Sequence, residues 1–198
     1  MTTKGETTRA AILDRALATA SEIGLEGLSI GGLAKDVGMS KSGLFGHFQS
    51  KEDLQIQVLE TAIGRFVARV VTPAFKEPRG LPRLRALLEN WLEWSRQPGL
   101  PGGCIFIAAA NEMDDRPGAV RDRLVAYQRD WIDTLSMAAR IAVEEGHLTP
   151  DLDTEQFAYD FYALIMGYHL YSRLMRDHDA EARARRSFER LLATSRTA

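Results

Sequence analysis

The 198-residue sequence predicts an all-α protein, because apolar residues recur at helical intervals along almost the whole chain. The steps of three and four residues begin near Thr8, whereas the short alternation typical of β-strands is scarce. Glycine- and proline-containing segments such as "EGHLTPDLD" interrupt the pattern, and each interruption marks the end of a predicted helix. The sequence contains no internal repeat and no low-complexity tract.

The first three predicted helices are close together in the sequence, and two of them are short. The first runs over residues 8–23 with one apolar stripe, and Gly24 ends it. Ser29 is the predicted N-cap of the second helix, which Gly38 ends, and Ser40 opens the third helix in the same way. The tight turn "VGMS" between the second and third helices is typical of a helix-turn-helix unit.

Longer helices are predicted after these three. Ser50 and Asp53 have the spacing of a capping box and begin a helix that is expected to continue to Pro73. Asp153, with Gln156 three residues later, predicts a second capped helix. The other segments with helical spacing are 84–94, 104–113, 119–145, 153–176 and 180–192. We therefore expect a head at residues 1–51 and a helical body at residues 52–198.

The bulk composition restricts the class of protein without identifying it. Hydrophobic residues make up 45% of the chain and charged residues 26%, which is ordinary for a globular domain. The formal net charge of −2 neither indicates nor excludes a nucleic-acid partner. The single cysteine, Cys104, excludes an internal disulfide, and no apolar run approaches the roughly 20 residues of a membrane span. The N-terminus also lacks a signal-peptide core, so we expect a cytoplasmic protein with no membrane partner.

Two glycines in the short third helix need a physical reason. Gly43 and Gly46 each lower helix stability by roughly 1 kcal/mol relative to alanine. Close approach to another surface is one such reason, and the major groove of DNA is wide enough to admit one α-helix. The first turn of this helix carries Ser40, Lys41 and Ser42, whose side chains suit phosphates and base edges.

The segment "SIGGLAKDVGMSKSGLFGHFQSKEDL", residues 29–54, resembles the N-terminal signature of the tetracycline-repressor (TetR) family of transcription regulators. The matching positions are Ser29, Leu33, Ala34, Gly38, Met39, Ser40, Leu44, Phe45, His47, Phe48 and Lys51. Most members carry tyrosine at the position of Phe45, and that phenol commonly touches a phosphate. Phe45 cannot donate this hydrogen bond. The resemblance implies that an all-helical ligand-binding and dimerisation domain follows the head.

The resemblance also implies roles for residues of the head. The predicted DNA-binding set is Ser29, Ser40, Lys41, Ser42, Gly43, Phe45, His47 and Lys51. Among these, Lys41, Ser42 and Gly43 are expected to face bases. The residues expected to contact the phosphate backbone of the DNA are Ser29, Ser40, His47 and Lys51. Lysine can donate to guanine acceptors, and phosphate contacts fix the register. The charge of this segment supports DNA binding only weakly, since residues 35–51 contain three lysines and one aspartate.

In this family an apolar cavity in the body typically binds a small-molecule effector. The residues that we expect to line it are Trp94, Phe106, Trp131, Tyr162, Met166 and His169. The alternative is that this aromatic and methionine stripe is simply core. The last two helices can close a four-helix bundle with a second copy. The predicted homodimer interface consists of Phe157, Phe161, Leu164, Tyr168, Phe188, Leu191 and Leu192, unless this surface folds onto its own subunit.

The sequence carries no specific enzymatic motif. No phosphate-binding glycine loop, nucleophile elbow or HExxH pattern occurs. Glu144 and His147 have the Glu-x-x-His spacing of di-metal bundles, but the second copy that such a site needs is missing. We therefore predict no catalytic residues, no metal and no cofactor. The alternatives are a DNA-binding protein without a ligand, a helical interaction module without DNA, and an all-helical enzyme.

These observations predict a homodimeric transcription regulator, a repressor that binds a palindromic operator in double-stranded DNA. The two copies of the third helix are expected to read half-sites about one duplex turn apart, roughly 34–36 Å. An apolar or amphipathic effector would favour a dimer whose heads no longer match that spacing, with the helix after Ser50 as the lever. Such a shift needs only a few kcal/mol of differential affinity.

Overall fold

The computed structural model describes residues 4–196, and every regular element in that range is helical. In chain order the helices are α1 (Lys4–Ile23), α2 (Ile30–Asp36), α3 (Lys41–Phe45), α4 (Lys51–Phe66), α5 (Thr72–Ala74), α6 (Leu81–Arg96), α7 (Ile105–Met113), α8 (Ala119–Glu144), α9 (Thr154–Arg173) and α10 (Ala180–Thr194). Since no strand occurs among the described residues, the predicted all-α class is confirmed. None of the described helices combines the length and the apolar character needed to cross a bilayer.

The helix that begins after Ser50 changes from α-helical to π-helical geometry before Pro73. Regular α-helix ends at Phe66, a π-helical segment covers Val67–Val71, and the single turn α5 follows. The sequence predicts one uninterrupted helix here, and the structure shows three helical segments in succession. Proline has no N–H to donate, so Pro73 cannot continue a regular hydrogen-bond ladder.

The predicted N-caps are confirmed by their hydrogen bonds. Ser29 accepts from the backbone N–H of Gly32 at 3.0 Å, and the Ser50 hydroxyl accepts from the N–H of Asp53 at 3.0 Å. Asp153 accepts from the N–H groups of the second and third residues after it, both at 3.0 Å. Each cap satisfies backbone donors that have no partner inside their own helix.

The helices form two compact units. The first unit comprises the residues up to Arg65 together with Arg96–Ala126, and the second comprises Phe66–Ser95 together with the residues from Tyr127 onward. Compactness therefore groups α7 and the first residues of α8 with the N-terminal helices. The boundary after residue 51 that the sequence predicts stays a prediction.

Each unit has its own apolar core. In the first unit the short helices are held by fully buried side chains, which include Ile12, Leu17, Leu33, Leu44 and Phe48. In the second unit α9 and α10 form an antiparallel pair in which the Phe161 ring packs against Phe157 at 6.3 Å and Phe188 at 4.8 Å between centroids. The contact between Phe161 and Phe188 joins the last two helices within one chain.

Candidate DNA-binding head and effector site

The start of α3 is polar and exposed, while its opposite side is anchored in the core. Ser40, Lys41 and Ser42 are exposed, and Leu44 is fully buried. Ser40 Oγ accepts from the backbone N–H of Gly43 at 3.1 Å and lies 3.1 Å from Ser42 Oγ. The structure thus brings four of the predicted DNA-binding residues together at one helix end, where backbone N–H groups and hydroxyls can meet an anion.

Glycine at position 43 also has a reason inside the head. A β-carbon at Gly43 would lie 3.2 Å from Ser40 Oγ and would crowd the cap. At Gly31 a β-carbon would lie 2.8 Å from Lys41 Cε, so this glycine of α2 makes room for the lysine stem. Lys41 therefore lays its aliphatic part over α2 while its side chain remains exposed.

Phe45 and His47 occupy different environments at the end of α3. The Phe45 side chain is 53% exposed, so its ring is not part of the core. It lies one helical turn after Lys41 and therefore on the same side of α3. His47 is half-buried, and its ring centroid lies 6.3 Å from that of Phe48. An exposed phenyl ring beside Lys41 offers an apolar contact surface rather than a hydrogen bond.

Lys51 is held in place by Glu26, which the sequence reasoning missed. Its ammonium donates to the Glu26 carbonyl oxygen at 2.7 Å and lies 3.2 Å from the Glu26 carboxylate. The hydrogen bond from Gln55, helped by Lys51 and Arg116, lowers the pKa of Glu26. The carboxylate thus neutralises part of the charge that Lys51 would present to a phosphate, and the DNA role of Lys51 stays a prediction.

Close backbone contacts connect the α1–α2 turn to the segment around α7 within the first unit. Ser21 Oγ accepts from the N–H of Gly102 at 3.0 Å, and Glu112 Oε2 accepts from the N–H of Leu25 at 2.8 Å. Side chains at Gly24 and Gly102 would overlap these partners. The two glycines are the only sequence signal of this contact, and by themselves they indicate a turn as readily as a close approach.

The predicted effector residues are only partly brought together. Trp94 and Trp131 are buried in the second unit, and both pack edge-to-face against Phe66, with centroids 5.4 and 5.0 Å away. Phe66 is a member of this cluster that the sequence reasoning missed. Phe106 is buried in the first unit, and Met166 is 42% exposed on α9.

Polar atoms lie on α8 and α9 of the second unit. The Tyr162 hydroxyl and Gln128 Oε1 are 2.6 Å apart, which joins the two helices. In the described part of the chain, neither the buried Nε1 of Trp131 nor the buried Nε2 of His169 has a hydrogen-bond partner. A buried polar atom without a hydrogen-bond partner costs roughly 1–3 kcal/mol, so both atoms are available to a ligand or a water.

The predicted dimer residues are mostly interior. Five of them are buried in their own chain, namely Phe157, Phe161, Tyr168, Phe188 and Leu192, while Leu164 and Leu191 are half-buried. These five therefore stabilise the α9–α10 pair and are not free to contact a second copy. The apolar side chains that α9 and its C-terminal end do expose are Tyr159, Met166, Leu170, Tyr171, Leu174 and Met175.

No metal centre is available among residues 4–196. Nowhere in that range do three or more histidine, cysteine, aspartate or glutamate side chains come close enough to hold an ion. The spacing of Glu144 and His147 has a structural use instead. His147 Nδ1 accepts from the N–H of Leu81 at 3.3 Å, while Glu144 pairs with Arg79 at 2.8 Å.

We expect Ser40→Ala to lower the free energy of unfolding by about 1 kcal/mol, because it removes the acceptor for the N–H of Gly43. Urea unfolding followed by circular dichroism measures this loss. Ser42→Ala is the matched control, since the contact of the Ser42 hydroxyl in the described structure is the Ser40 hydroxyl and not a backbone N–H. Equal stability of the two variants would contradict the capping role.

Stability is also expected to depend on the protonation of His169. Burial, together with the charge of Arg173, lowers the pKa of His169 from its ordinary value of 6.5. Because the unfolded chain then binds the proton more readily, the free energy of unfolding should fall as the pH drops below about 6.5. His169→Gln should remove this part of the pH dependence in urea titrations on both sides of that pH. The exposed His178, replaced in the same way, should leave it unchanged.

Comparison with known proteins agrees with this geometry. Residues 12–58 match the family model described as bacterial regulatory proteins, tetR family, and residues 80–188 match the tetracyclin repressor-like C-terminal domain. The HTH-type transcriptional repressor KstR2 of Mycobacterium tuberculosis is 26% identical over 149 residues, which cover 74% of this chain and 72% of that protein.

Solved structures share the fold over most of the chain. A TetR-family regulator from Cytophaga hutchinsonii superposes with a TM-score of 0.85 at 20% identity, covering 100% of this chain and 99% of that one. AibR, solved with isovaleryl coenzyme A and operator DNA, gives a TM-score of 0.68 at 24% identity and covers 82% and 85% of the two chains. The C-terminal family model alone spans more than half of the sequence, and the resemblance seen in the head is confirmed: this chain belongs to the TetR family of bacterial transcriptional regulators.

Proposed function

We propose that this regulator is a ligand-responsive repressor that binds a palindromic operator as a homodimer. The observation that carries the proposal is the exposed start of α3, with Ser40, Lys41 and Ser42, which the buried Leu44 anchors in the core. A helix end of this kind fits the major groove of DNA. Contacts with the DNA phosphates around it fix the position of the protein along the duplex. Two such tips related by a two-fold axis read two half-sites of opposite direction.

The effector is an apolar or amphipathic small molecule bound by the body. The edge-to-face cluster of Phe66, Trp94 and Trp131 supports an apolar contact surface. The unpartnered Nε1 of Trp131 adds one polar contact for an acceptor atom. Two similar regulators indicate which compounds to test first, since AibR was solved with isovaleryl coenzyme A and KstR2 is described as a ketosteroid regulator.

Release of DNA requires only that the effector bind more tightly to the dimer whose two heads no longer match the spacing of the operator half-sites. A hundredfold preference corresponds to about 2.7 kcal/mol, which is within the usual range of allosteric coupling. By reciprocity, operator DNA should weaken effector binding by the same factor.

The test begins by selecting duplexes from a randomised pool with the full-length protein. Enrichment of a sequence with two-fold symmetry is the expected result, and a duplex with one scrambled half-site is the control. Isovaleryl coenzyme A and a steroid ketone are then titrated into the complex, and loss of binding is measured by fluorescence anisotropy. Failure to enrich any symmetric duplex would overturn the DNA-binding proposal. The complex is tested further with a diverse set of apolar compounds. If none of these compounds releases the enriched duplex, the result favours a DNA-binding protein without a ligand.

A further inference from the structure

The C-terminal end of α3 exposes a phenyl ring that does not take part in the packing of the first unit. Phe45 is 53% exposed, whereas Leu44 before it and Phe48 after it are completely buried. Among the described residues, no other aromatic ring or guanidinium group packs against the Phe45 ring. A single exposed apolar residue is common on protein surfaces, so the position of this ring decides what it can contact.

Phe45 lies on the same side of α3 as two exposed polar residues. Lys41 and Ser42 precede it by four and three residues, so the three side chains share one side of the helix. Gly46 follows the ring, is exposed, and adds no side chain beside it. None of the five residues of α3 is acidic. This side of α3 therefore combines an ammonium group, a hydroxyl and a phenyl ring, and it carries no carboxylate that would repel DNA.

The chemistry of the ring determines which base it can distinguish. In the major groove the base edges present hydrogen-bond donors and acceptors, and thymine alone adds a methyl group at C5. The Phe45 ring has no polar atom, and covering a donor or acceptor with it would leave that group without a partner, which is costly. A methyl group has no hydrogen bond to lose. The thymine methyl is therefore the part of a base edge that a phenyl ring can cover favourably.

Helix geometry predicts where this contact lies relative to the contact of Lys41. Side chains one helical turn apart have Cβ atoms about 5–6 Å apart. Successive nucleotides of one DNA strand are about 3.4 Å apart along the duplex axis. Lysine donates to the acceptor atoms of guanine. The thymine that Phe45 contacts should therefore lie within about two base pairs of a guanine that Lys41 contacts.

We propose that Phe45 selects thymine in each half-site of the operator, by packing its ring against the C5 methyl group of that base. This inference rests on the proposed DNA-binding function, and it names the base at one position of the sequence that the protein binds. The contact adds sequence selectivity, whereas a contact with a phosphate adds affinity for every duplex alike.

Replacement of thymine by uracil tests the proposal, because it removes the C5 methyl group and leaves base pairing unchanged. In the duplex selected with the full-length protein, each thymine is replaced in turn in both half-sites, and binding is measured by fluorescence anisotropy. At one position, within about two base pairs of a guanine, uracil should lower the affinity of the unmodified protein about fourfold for each half-site, as expected for the burial of one methyl group. Phe45→Ala should bind the thymine duplex and the uracil duplex equally well.

Lys41→Ala is the matched control, since it changes a neighbouring residue on the same side of α3 and should retain the sensitivity to uracil. Circular dichroism checks that both variants fold. The thymine contact is overturned, while the regulator function stands, if every uracil duplex binds the unmodified protein as tightly as its parent, or if the loss caused by uracil persists in Phe45→Ala. A selected half-site that contains no thymine would overturn it as well. If no symmetric duplex is enriched, the DNA-binding proposal itself fails.

Discussion

Replacement of Lys41 by alanine is expected to weaken binding to the selected operator duplex by roughly 1–3 kcal/mol, because a base-reading contact is lost. The stem of Lys41 lies over Gly31 and its side chain is exposed beside Ser42, so the ammonium group is accessible to a DNA base. The affinity for a duplex of unrelated sequence should fall far less. The ratio of the affinities for the operator and for the unrelated duplex should therefore decrease.

Anisotropy titrations at several salt concentrations separate base reading from general electrostatics. Lys51→Ala should lower affinity for every duplex alike and reduce the salt slope by about 1, as a phosphate contact does. Lys76→Ala removes the same charge from an exposed position outside the head and is the control. Equal, sequence-independent losses for Lys41→Ala and Lys51→Ala would exclude Lys41 as a base reader.

Phe161→Ala is expected to lower the free energy of unfolding by about 3–5 kcal/mol, the usual cost of removing a buried phenyl ring. Phe161 is completely buried, and it packs against one aromatic ring of its own helix and another of α10. Urea unfolding at a fixed protein concentration measures the loss.

Phe45→Ala is the matched control, because it removes the same ring from a position that is 53% exposed. We expect a change within about 0.5 kcal/mol for this variant in the absence of DNA. If Phe161→Ala were as mild as Phe45→Ala, Phe161 would not hold the α9–α10 pair together.

The helix caps show how far local sequence signals reach. The caps at Ser29, Ser40 and Asp153 were predictable, because a cap joins a side chain to a backbone N–H only two or three residues away. The partner of Lys51 was not predictable, since Glu26 lies 25 residues earlier and approaches only after the chain folds. For the same reason the contact of Glu112 with Leu25, 87 residues apart, left no sequence signal beyond two glycines.

In the body, periodicity identified apolar residues but not the surface that each one faces. Phe157 and Phe161 have the spacing of an interface and of a core alike, and the structure places them inside their own chain. Trp94 and Trp131 were identified as aromatic residues of one region, whereas the Phe66 ring that joins them comes from another helix.

The sequence by itself determined the all-α class, the positions of the main helices, the family signature and the polar tip of the third helix. All of these follow from interactions between residues a few positions apart. Only the tertiary structure decided that Glu26 pairs with Lys51 and that the aromatic residues Phe157, Phe161 and Phe188 of α9 and α10 are buried in their own chain. The physical reason is that burial depends on which helices pack together, and a helical repeat is the same whichever neighbour it meets.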